Sequence, residues 1–500
     1  MIALFRYLNS MKNFLKKLFS RNNKNVALRT NVYIYGAGGA GKELYDLLVA
    51  SKKFTCLAFI DDNPDKQKSI FSSLKVLTPK QACQQLNSDD VQEIWLAMAN
   101  IDLGRAQQIA KMYRAYDVDV KSIPGFGSIL LNGALNSSEH ISLNRILERD
   151  PVDSDFEAVK PLIYGQSILV TGAGGSIGSE LCRIIMNYSP RKLILLDMNE
   201  YALFEIEKEL NTFCDAEGIN TMLIPVLSSA NDSTLMVSLL DYHEVHAVFH
   251  AAAYKHVRLV ELNIIKGISN NIFSTKSVID SVKKSCVKYC VLVSSDKAVR
   301  PSNVMGATKR VSELMFQNAA TSNSGCIFTA VRFGNVLGSS GSVIPIFKKQ
   351  ILAGGPVTVT HSEVTRYFMT INEAANLITS AAAMAKGGEI FVLDMGEPVR
   401  IVHLAKKLIG LLGYSVDAAD SNHIPIQFVG LSAGEKLHEE LVISGQTENT
   451  NHPKIFRVIE PSLEENQLKE MLDSFLTAIE SSNEVAAKAV LLQHFPSLNL

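Results

Sequence analysis

The chain has 500 residues, more than one hydrophobic core usually supports, so two or three domains are expected. It is 47% hydrophobic and 20% charged, with a formal net charge of −1, which excludes the basic excess typical of nucleic-acid-binding proteins. No uncharged apolar run approaches the roughly 18 residues of a transmembrane helix, and the seven cysteines lack the C-x-x-C spacing of a structural metal site.

Residues 1–30 are predicted to include an amphipathic helix, in which apolar residues recur at helical spacing between Leu4 and Leu18. A basic character comes from Arg6, Lys12, Lys16, Lys17 and Arg21. A helix of this kind can lie on an anionic membrane surface, here through residues 1–24. It can equally pack against its own protein or a partner subunit. The segment lacks the small-residue cleavage site of a signal peptide.

Residues 31–128 are predicted to form a Rossmann-like domain. The run "NVYIYGAGGAGKEL" joins a strand pattern, three spaced glycines (Gly36, Gly38 and Gly41) and a helix pattern, and the next strand ends at Asp61. The following "FIDDNPDKQ" fits either a loop that binds a nucleotide or acyl carrier, or part of a scaffold without a ligand. Residues 129–160 are predicted to be a linker.

The same plan recurs in a predicted catalytic domain at residues 161–340. In "SILVTGAGGSIGSEL" the glycines are Gly172, Gly175 and Gly178, and the next strand, "KLILLD", ends at Asp197. Such glycines let the backbone approach a pyrophosphate at a helix N-terminus, and the acid can bond a ribose diol. Because a carboxylate repels a 2′-phosphate, Asp197 favours NAD over NADP.

Three further strand patterns follow, "AVFHAAA" (247–253), "YCVLVSSD" (289–296) and "FTAVRFGN" (328–335), with helical sequence between them. They predict a doubly wound parallel α/β sheet. Asp296 and Lys297 end the second pattern, where ligand sites form in such sheets. His250 ends the first and is expected to be a packed histidine rather than a catalytic one.

The run "SSDKAVRPSNVMGATKR" (294–310) resembles the active-site stretch of short-chain dehydrogenases, in which a tyrosine lies four residues before a lysine on one helix. Lys309 is present, but Met305 occupies the tyrosine position and cannot carry a proton. Asp296 and Lys297 are then either a solvated charged pair in a loop or the acid-base pair of the site.

Taken in order, these motifs resemble an extended short-chain dehydrogenase that acts on nucleotide sugars. The chain is more closely similar to the polysaccharide-biosynthesis group of UDP-N-acetylhexosamine 4,6-dehydratases, through "HAAAYKHV", "VRFGNVLGSSGSVIPIFKKQI", "GGPVTVTHSEVTRYFMT", "GEKLHEEL" and "HPKI". The large, membrane-type members of this group also have methionine at the position of Met305, but they carry membrane-spanning helices before the first Rossmann unit. The resemblance therefore implies a distinct subgroup and not an inactivated enzyme.

The resemblance implies conversion of UDP-N-acetylglucosamine to a 4-keto-6-deoxy sugar with NAD, for surface polysaccharide synthesis. C4 would be oxidised first, and the resulting ketone acidifies the C5 proton. Asp296 would be the acid on the C6 oxygen, Lys297 the base at C5, and Lys309 would hold the nicotinamide ribose. The implied cofactor contacts are Gly172, Gly175, Ser176, Ile177, Gly178, Asp197, Ala252, Ala253, Asn271, Ser294 and Lys309.

Lys297 must be neutral to act as a base, and burial together with the charge of Lys309 is expected to lower its pKa. The group that removes the 4-OH proton stays open among Ser295, a water molecule and Lys297. Implied substrate contacts are Lys255, Asn335, Arg366 and Glu435. Arg366 is either a diphosphate ligand or part of a surface salt bridge, and Glu435 either touches the nucleotide or holds a loop.

A substrate-binding lobe is predicted at residues 341–460, interleaved with the catalytic domain, and a helical segment at 461–500. Leu468, Met471 and Phe475 lie on one face of that last helix, which predicts core or oligomer packing. The chain departs from the family pattern at Arg258, and at Ser432 and Ala433, where the family often has proline and arginine-proline respectively. The latter change puts affinity for the sugar nucleotide, or its identity, in question.

Two other functions remain open: a 4-epimerase of the same sugar, which would normally need the tyrosine, and a non-catalytic NAD-binding sensor. We expect a cytoplasmic homo-oligomer, peripheral to the inner membrane face if residues 1–24 bind lipid, with a UDP-sugar substrate and no metal or nucleic acid.

Overall fold

The computed structural model describes two compact units, Met1–His140 and Ile141–Leu500. The described residues are 30–50, 54–67, 69–86, 90–97, 109, 112–113, 116, 118–122, 156–321, 325–339, 342–412, 414–418, 420, 423–432, 434–443 and 447–498. Nearly all of the predicted amphipathic segment (1–29) and most of the predicted linker (129–155) lie outside them.

The first unit contains a six-stranded sheet in the order β3-β4-β2-β1-β5-β6, parallel except for β3. Its strands are β1 (Thr30–Tyr35), β2 (Phe54–Ile60), β3 (Ile70–Phe71), β4 (Leu74–Leu77), β5 (Glu93–Leu96) and β6 (Asp119–Ser122), and its helices include α1 (Gly39–Ala50) and α2 (Pro79–Gln85). The Rossmann-like architecture predicted for this unit is confirmed.

The glycine turn of the first unit is held by Asp61, whose carboxylate accepts a hydrogen bond from the Ala37 N–H at 2.8 Å. A Cβ on Gly41 would lie 1.9 Å from the Gly36 carbonyl oxygen, so only glycine lets α1 start this close to β1. Packing alone therefore accounts for one glycine of this motif.

The second unit is built on a nine-stranded sheet in the order β20-β21-β17-β12-β11-β10-β7-β8-β9. Its strands are β7 (Ser167–Thr171), β8 (Lys192–Asp197), β9 (Met222–Leu227), β10 (Ala247–His250), β11 (Tyr289–Val293), β12 (Ile327–Arg332), β17 (Ile390–Leu393), β20 (Thr447–Asn449) and β21 (Ile455–Val458). Short strands that form three two-stranded sheets, in and just before the region predicted to be the substrate lobe, are β13 (Asn335–Leu337), β14 (Val357–Val359), β15 (Thr365–Arg366), β16 (Phe368–Thr370), β18 (Val399–Arg400) and β19 (Ile426–Phe428).

Helices connect these strands. They are α3 (Phe156–Ile163), α4 (Ser176–Met186), α5 (Glu200–Glu217), α6 (Ser233–Tyr242), α7 (Val257–Glu261), α8 (Ile264–Ile268), α9 (Ser274–Lys283), α10 (Val304–Thr321), α11 (Val343–Leu352), α12 (Ile371–Met384), α13 (Ile401–Leu411), α14 (Glu465–Glu480) and α15 (Glu484–His494). Within the described ranges, none of the helices is both long and apolar enough to span a membrane. Helix α3 crosses the boundary predicted at residue 161, and Val159, Leu162 and Ile163 are buried in the core of the unit.

The sheet is parallel from β9 to β17. Strand β21 runs antiparallel to β17, and β20 pairs antiparallel with β21, so β20 runs in the same direction as the parallel strands. Strand order reverses between β7 and β10, which creates the crevice where doubly wound sheets bind ligands. Separate apolar clusters fill the two faces of the sheet. The predicted doubly wound fold is confirmed, and so is the apolar stripe of α14, where Leu468, Met471 and Phe475 are buried and pack in one of these clusters.

Candidate active site

A cavity of about 1050 Å³ runs from the carboxyl ends of β7 and β11 to the substrate lobe. Most of the site residues predicted from the sequence lie on its wall. They are Gly172, Gly175, Ser176, Ile177, Gly178, Ala253, Lys255, Ser294, Ser295, Lys297, Met305, Lys309, Asn335, Arg366 and Glu435. The structure thus brings together residues that are far apart in the sequence and come from both the sheet and the lobe.

The glycine loop between β7 and α4 is shaped by close backbone contacts. Gly172 has φ of +67°, and a Cβ there would meet the Ala252 backbone at 2.8 Å. A Cβ on Gly178 would lie 2.0 Å from the Gly172 carbonyl oxygen. Both positions exclude side chains, so the start of α4 and its free N–H groups can sit directly against the cavity.

Three predicted cofactor residues lie just behind this wall. Asp197 accepts hydrogen bonds from the N–H groups of Gly174 and Asn199, both at 2.8 Å, and so fixes the glycine loop. Asn271 bonds both the N–H and the carbonyl of Tyr254, at 2.8 and 3.0 Å. The N–H of Ala252 donates a hydrogen bond to the Thr171 hydroxyl at 3.3 Å.

The Asp296–Lys297 pair lies in a short 3-10 turn, Asp296–Ala298, directly after β11. The Asp296 side chain is only 1% exposed, and its Oδ1 accepts from Ser295 Oγ at 2.9 Å and from Lys297 Nζ at 3.1 Å. Its other oxygen, Oδ2, has no hydrogen-bond partner among the described residues. Asp296 therefore does not line the cavity itself. Ser295 and Lys297, which both contact its carboxylate, form the cavity wall.

Lys297 is one-fifth exposed, and its ammonium also donates to the Asn335 side-chain oxygen at 3.2 Å. Burial is the largest influence and disfavours the charge, but the nearby carboxylates of Asp296 and Glu439 outweigh it, so the pKa of Lys297 is raised. The expectation that its pKa would be lowered is therefore wrong. Sequence reasoning anticipated the burial of the amine but not a second acid beside it.

That second acid, Glu439, was not predicted from the sequence. Its Oε1 lies 3.8 Å from Lys297 Nζ and 3.8 Å from Arg366 Nε, and the side chain is 5% exposed. Burial raises its pKa, with a further contribution from the charge of Asp296. The family motif "GEKLHEEL" contains Glu439, but the motif alone does not indicate which of its three glutamates points inward.

Helix α10 presents Met305 and Lys309 to the cavity, one turn apart. Lys309 Nζ donates to the Val293 carbonyl at 2.6 Å, and burial lowers its pKa to about 8. A Cβ on Gly306 would lie 2.2 Å from the Lys297 carbonyl oxygen. Glycine at this position lets α10 press against the turn that holds Lys297.

A buried ion network lies at the ends of β11, β12 and β21. Arg332, which is fully buried, bonds Glu313 and Glu460 through contacts of 2.7 Å. Ser294 donates to Glu313 at 2.6 Å, which points its hydroxyl into this network although the residue borders the cavity. The network joins the ends of β11, β12 and β21.

Arg366 and Glu435 form the lobe side of the cavity. Arg366 is 8% exposed and pairs with Glu435 at 3.0 Å. Its guanidinium also donates to the carbonyls of Thr365 and Leu437. Glu435 also accepts a hydrogen bond from the Thr360 hydroxyl, so it links the segments that carry Thr360 and Arg366.

His250 is buried at the end of β10, between the hydroxyls of Thr171 at 2.8 Å and Thr275 at 3.2 Å. Burial lowers its pKa to about 3, so the ring is neutral. The prediction of a packed histidine is confirmed. Across the described part of the chain, no group of three or more His, Cys, Asp or Glu side chains is placed to hold a metal ion.

Comparison with known proteins identifies two families along the chain. Residues 168–460 match the family described as polysaccharide biosynthesis protein, and residues 31–107 match the PglD N-terminal domain. The X-ray structure of Pen from Bacillus thuringiensis aligns with a TM-score of 0.54 at 30% identity, covering 62% of this chain and 99% of that one.

Two sequence relatives extend the match. Capsular polysaccharide biosynthesis protein CapD of Staphylococcus aureus is 41% identical over 86% of this chain and 71% of its own length. A Campylobacter jejuni protein named UDP-N-acetylglucosamine 4,6-dehydratase (inverting) is 33% identical over 60% of this chain and 85% of its own. Because the match over residues 168–460 covers more than half of its length, this chain belongs to the polysaccharide biosynthesis protein family.

Proposed function

We propose that this protein is an NAD-dependent nucleotide-sugar enzyme of the dehydratase and epimerase type in polysaccharide biosynthesis, and that its reaction is the 4,6-dehydration of UDP-N-acetylglucosamine. One observation supports this reaction most directly. Ser295 and Lys297 form the cavity wall with Asp296 hydrogen-bonded behind them, while Met305 occupies the position of the usual tyrosine.

The residues of the cavity fit NAD. The glycine loop brings the start of α4 to the wall, which suits a pyrophosphate. Asp197, directly behind that loop, has the charge that disfavours a 2′-phosphate. We assign Gly172, Gly175, Ser176, Ile177, Gly178, Ala252, Ala253, Asn271 and Ser294 to the same region, either in contact or as support. When bound, NAD supplies reversible hydride transfer, with removal from C4 and return at C6.

Side chains of the protein would carry out the proton transfers. The ketone formed at C4 acidifies the C5 proton, which the Lys297 amine removes once it is neutral. Asp296 would take the proton that the Lys297 ammonium gives up across their 3.1 Å hydrogen bond, and would then protonate the departing C6 hydroxyl. Since Asp296 lies behind the wall, its proton would pass through the Ser295 hydroxyl, which is 2.9 Å away and faces the cavity. Lys309, held by the Val293 carbonyl, would place its positive charge near the alkoxide that develops at C4.

The substrate lobe supplies groups suited to a UDP-sugar. Arg366 has the planar guanidinium that binds diphosphates in bidentate fashion, and its guanidinium pairs with Glu435 at 3.0 Å. Binding of the diphosphate would therefore displace or reorient Glu435. Asn335 already bonds Lys297 and would contact the sugar, and Lys255 lies at the exposed mouth of the cavity.

The proposed reaction is tested by incubating the purified protein with UDP-N-acetylglucosamine and NAD in deuterated water and recording proton and carbon NMR spectra. A 4-keto sugar with a 6-methyl group and deuterium at C5 is the expected product. UDP-N-acetylgalactosamine without deuterium would establish the epimerase instead. Recovery of unchanged substrate, with NAD binding intact, would favour a sensor and contradict the proposal.

The name of the Campylobacter relative supports the substrate, and the capsular name of the Staphylococcus relative supports the pathway class. Binding of residues 1–24 to a membrane surface, a cytoplasmic location and homo-oligomer formation stay predictions.

A further inference from the structure

Glu439 is a buried acid that the proposed proton transfers do not use. One of its oxygens, Oε1, is equally far, 3.8 Å, from the ammonium of Lys297 and from Nε of Arg366. The other oxygen, Oε2, is buried and has no hydrogen-bond partner among the described residues. Since leaving a buried carboxylate oxygen unsatisfied is costly, its retention here calls for an explanation beyond folding.

The position of Glu439 is fixed by contacts between the segment 434–440 and the loop that follows the catalytic turn. The Gly434 carbonyl accepts from the side chains of Ser302 and Asn303, at 2.8 and 3.1 Å. Lys436 Nζ donates to the Val299 carbonyl at 2.9 Å. These contacts secure the segment just before Glu439 in the chain, and they place its carboxylate beside Lys297.

The charged groups around the Glu439 carboxylate indicate its role. Four charged side chains act on Glu439, namely Asp296, Lys297, Arg366 and Lys436. Asp296 alone would balance Lys297, and Glu435 alone would balance Arg366. Glu439 is a third acid between two cations. Its charge further stabilises the protonated form of Lys297, which must lose a proton before it can act as a base.

We propose that Glu439 is a positioning residue, which holds the Lys297 ammonium at the cavity wall and couples its protonation to Arg366 on the substrate side. This inference rests on the proposed function for its link to turnover. When an anionic substrate engages Arg366, Glu439 loses part of its second counter-charge and takes up a proton more readily. A neutral Glu439 no longer stabilises the ammonium, so Lys297 is released to become the base.

The test compares the full-length wild type with Glu439→Gln, which keeps the shape of the side chain but removes its charge. The pH dependence of Lys297 acetylation by acetic anhydride, read by mass spectrometry, reports the midpoint at which this amine loses its proton. We expect the midpoint to move to lower pH by about one unit in the variant. Glu440→Gln is the matched control, since Glu440 pairs with Arg300 at 2.6 Å on an exposed surface, and it should leave the midpoint unchanged.

Turnover provides the second readout. The pH dependence of kcat has one limb that reports deprotonation of Lys297. In Glu439→Gln this limb should move to lower pH by as much as the acetylation midpoint does. A merely structural role would scale the whole profile down without displacing it. Glu439→Asp retains the charge but withdraws it from Nζ, so an intermediate midpoint is expected.

An unchanged midpoint in Glu439→Gln would overturn the inference, whatever the activity. If the wild type makes no keto sugar, the proposed function fails, but the acetylation midpoint still decides the role of Glu439. The two failures are therefore distinguishable.

Discussion

At the scale of single residues, Lys297 is the side chain on which the proposed chemistry depends. Its amine is the basic group on the cavity wall that contacts Asp296 and Asn335 together. Lys297→Ala should lower kcat by about 10² to 10⁴-fold, the usual contribution of a general base, while NAD remains bound. Product formation by NMR and NAD binding by fluorescence titration check the two parts.

The control for that variant is Lys284→Ala, which removes an exposed lysine just after α9. It should match the wild type in both measurements. Near-normal activity of Lys297→Ala would remove the amine from the base role, and loss of NAD binding would show that its main contribution is to the cofactor site.

His250 gives a residue-scale prediction for stability. Its pKa is about 3 in the folded chain and about 6.5 when unfolded, so the unfolded chain binds an extra proton between these values. This group therefore stabilises the fold above pH 6.5, and that contribution is lost as the pH falls towards 3. Each pH unit should cost about 1.4 kcal/mol.

His250→Asn should remove this slope. Denaturant unfolding of the wild type and the variant between pH 6.5 and 4.5 measures the difference. The pKa of Glu313 is lowered to about 2, so its own acid effect begins only near its unfolded value of 4.5, below that interval. Parallel pH dependences of the two proteins would contradict a buried neutral imidazole.

The sequence predicted most of the cavity wall but not the charge balance within it. Glycine spacing places Gly172 and a strand-end position places Lys297, because both follow from local pattern. Lys309 was predicted from the resemblance of its helix to the active-site helix of short-chain dehydrogenases. Glu439 and the raised pKa of Lys297 could not be foreseen, since they depend on a contact between segments more than a hundred residues apart. The burial of Asp296 behind Ser295 likewise arises from a turn that strand patterns do not specify.

At the scale of elements, the ion network of Arg332 joins three strands beneath the site. Arg332→Met leaves Glu313 and Glu460 buried with less compensating charge, and Arg310 at 3.0 and 3.1 Å balances them only in part. Removing one partner of such a buried set typically costs about 3 to 5 kcal/mol. Equilibrium unfolding in urea should show that loss.

Arg457→Met is the matched control, because Arg457 pairs with Glu448 on the surface, where both side chains are nearly half exposed. Its effect should stay below about 1 kcal/mol. Equal losses in the two variants would mean that the network beneath the site contributes no more than a surface ion pair.

Element prediction succeeded where a single element is amphipathic or fully buried. The strand patterns that begin at residues 247, 289 and 328 correspond to β10, β11 and β12, although each strand is shorter than its pattern. The excess residues leave the sheet to form the cavity wall. The short strands of the substrate lobe were missed because two or three residues give no periodicity.

At the scale of the whole molecule, cofactor choice should be visible in thermal stability. Binding to the folded state alone stabilises it by about 2.7 kcal/mol at a ligand concentration of 100 Kd. NAD should therefore raise the melting temperature, and NADP at the same concentration should raise it less, because of Asp197. Differential scanning fluorimetry measures both shifts.

Asp197→Asn should narrow the difference between the two cofactors. Equal shifts in the wild type would contradict the assignment of Asp197 as the group that excludes a 2′-phosphate. Because the chain has two compact units, the transition that responds to the cofactor is the one to compare.

The return of β21 to the central sheet has a consequence for synthesis on the ribosome. Strand β17 is complete long before β21 emerges to cover it, and Glu460 arrives just after β21 to neutralise Arg332. Until then the nascent chain carries an open hydrophobic edge and an incompletely matched internal charge. Final consolidation of this unit is therefore deferred until the segment that ends at Glu460 has been synthesised, and products terminated before it become natural targets for chaperones and proteases.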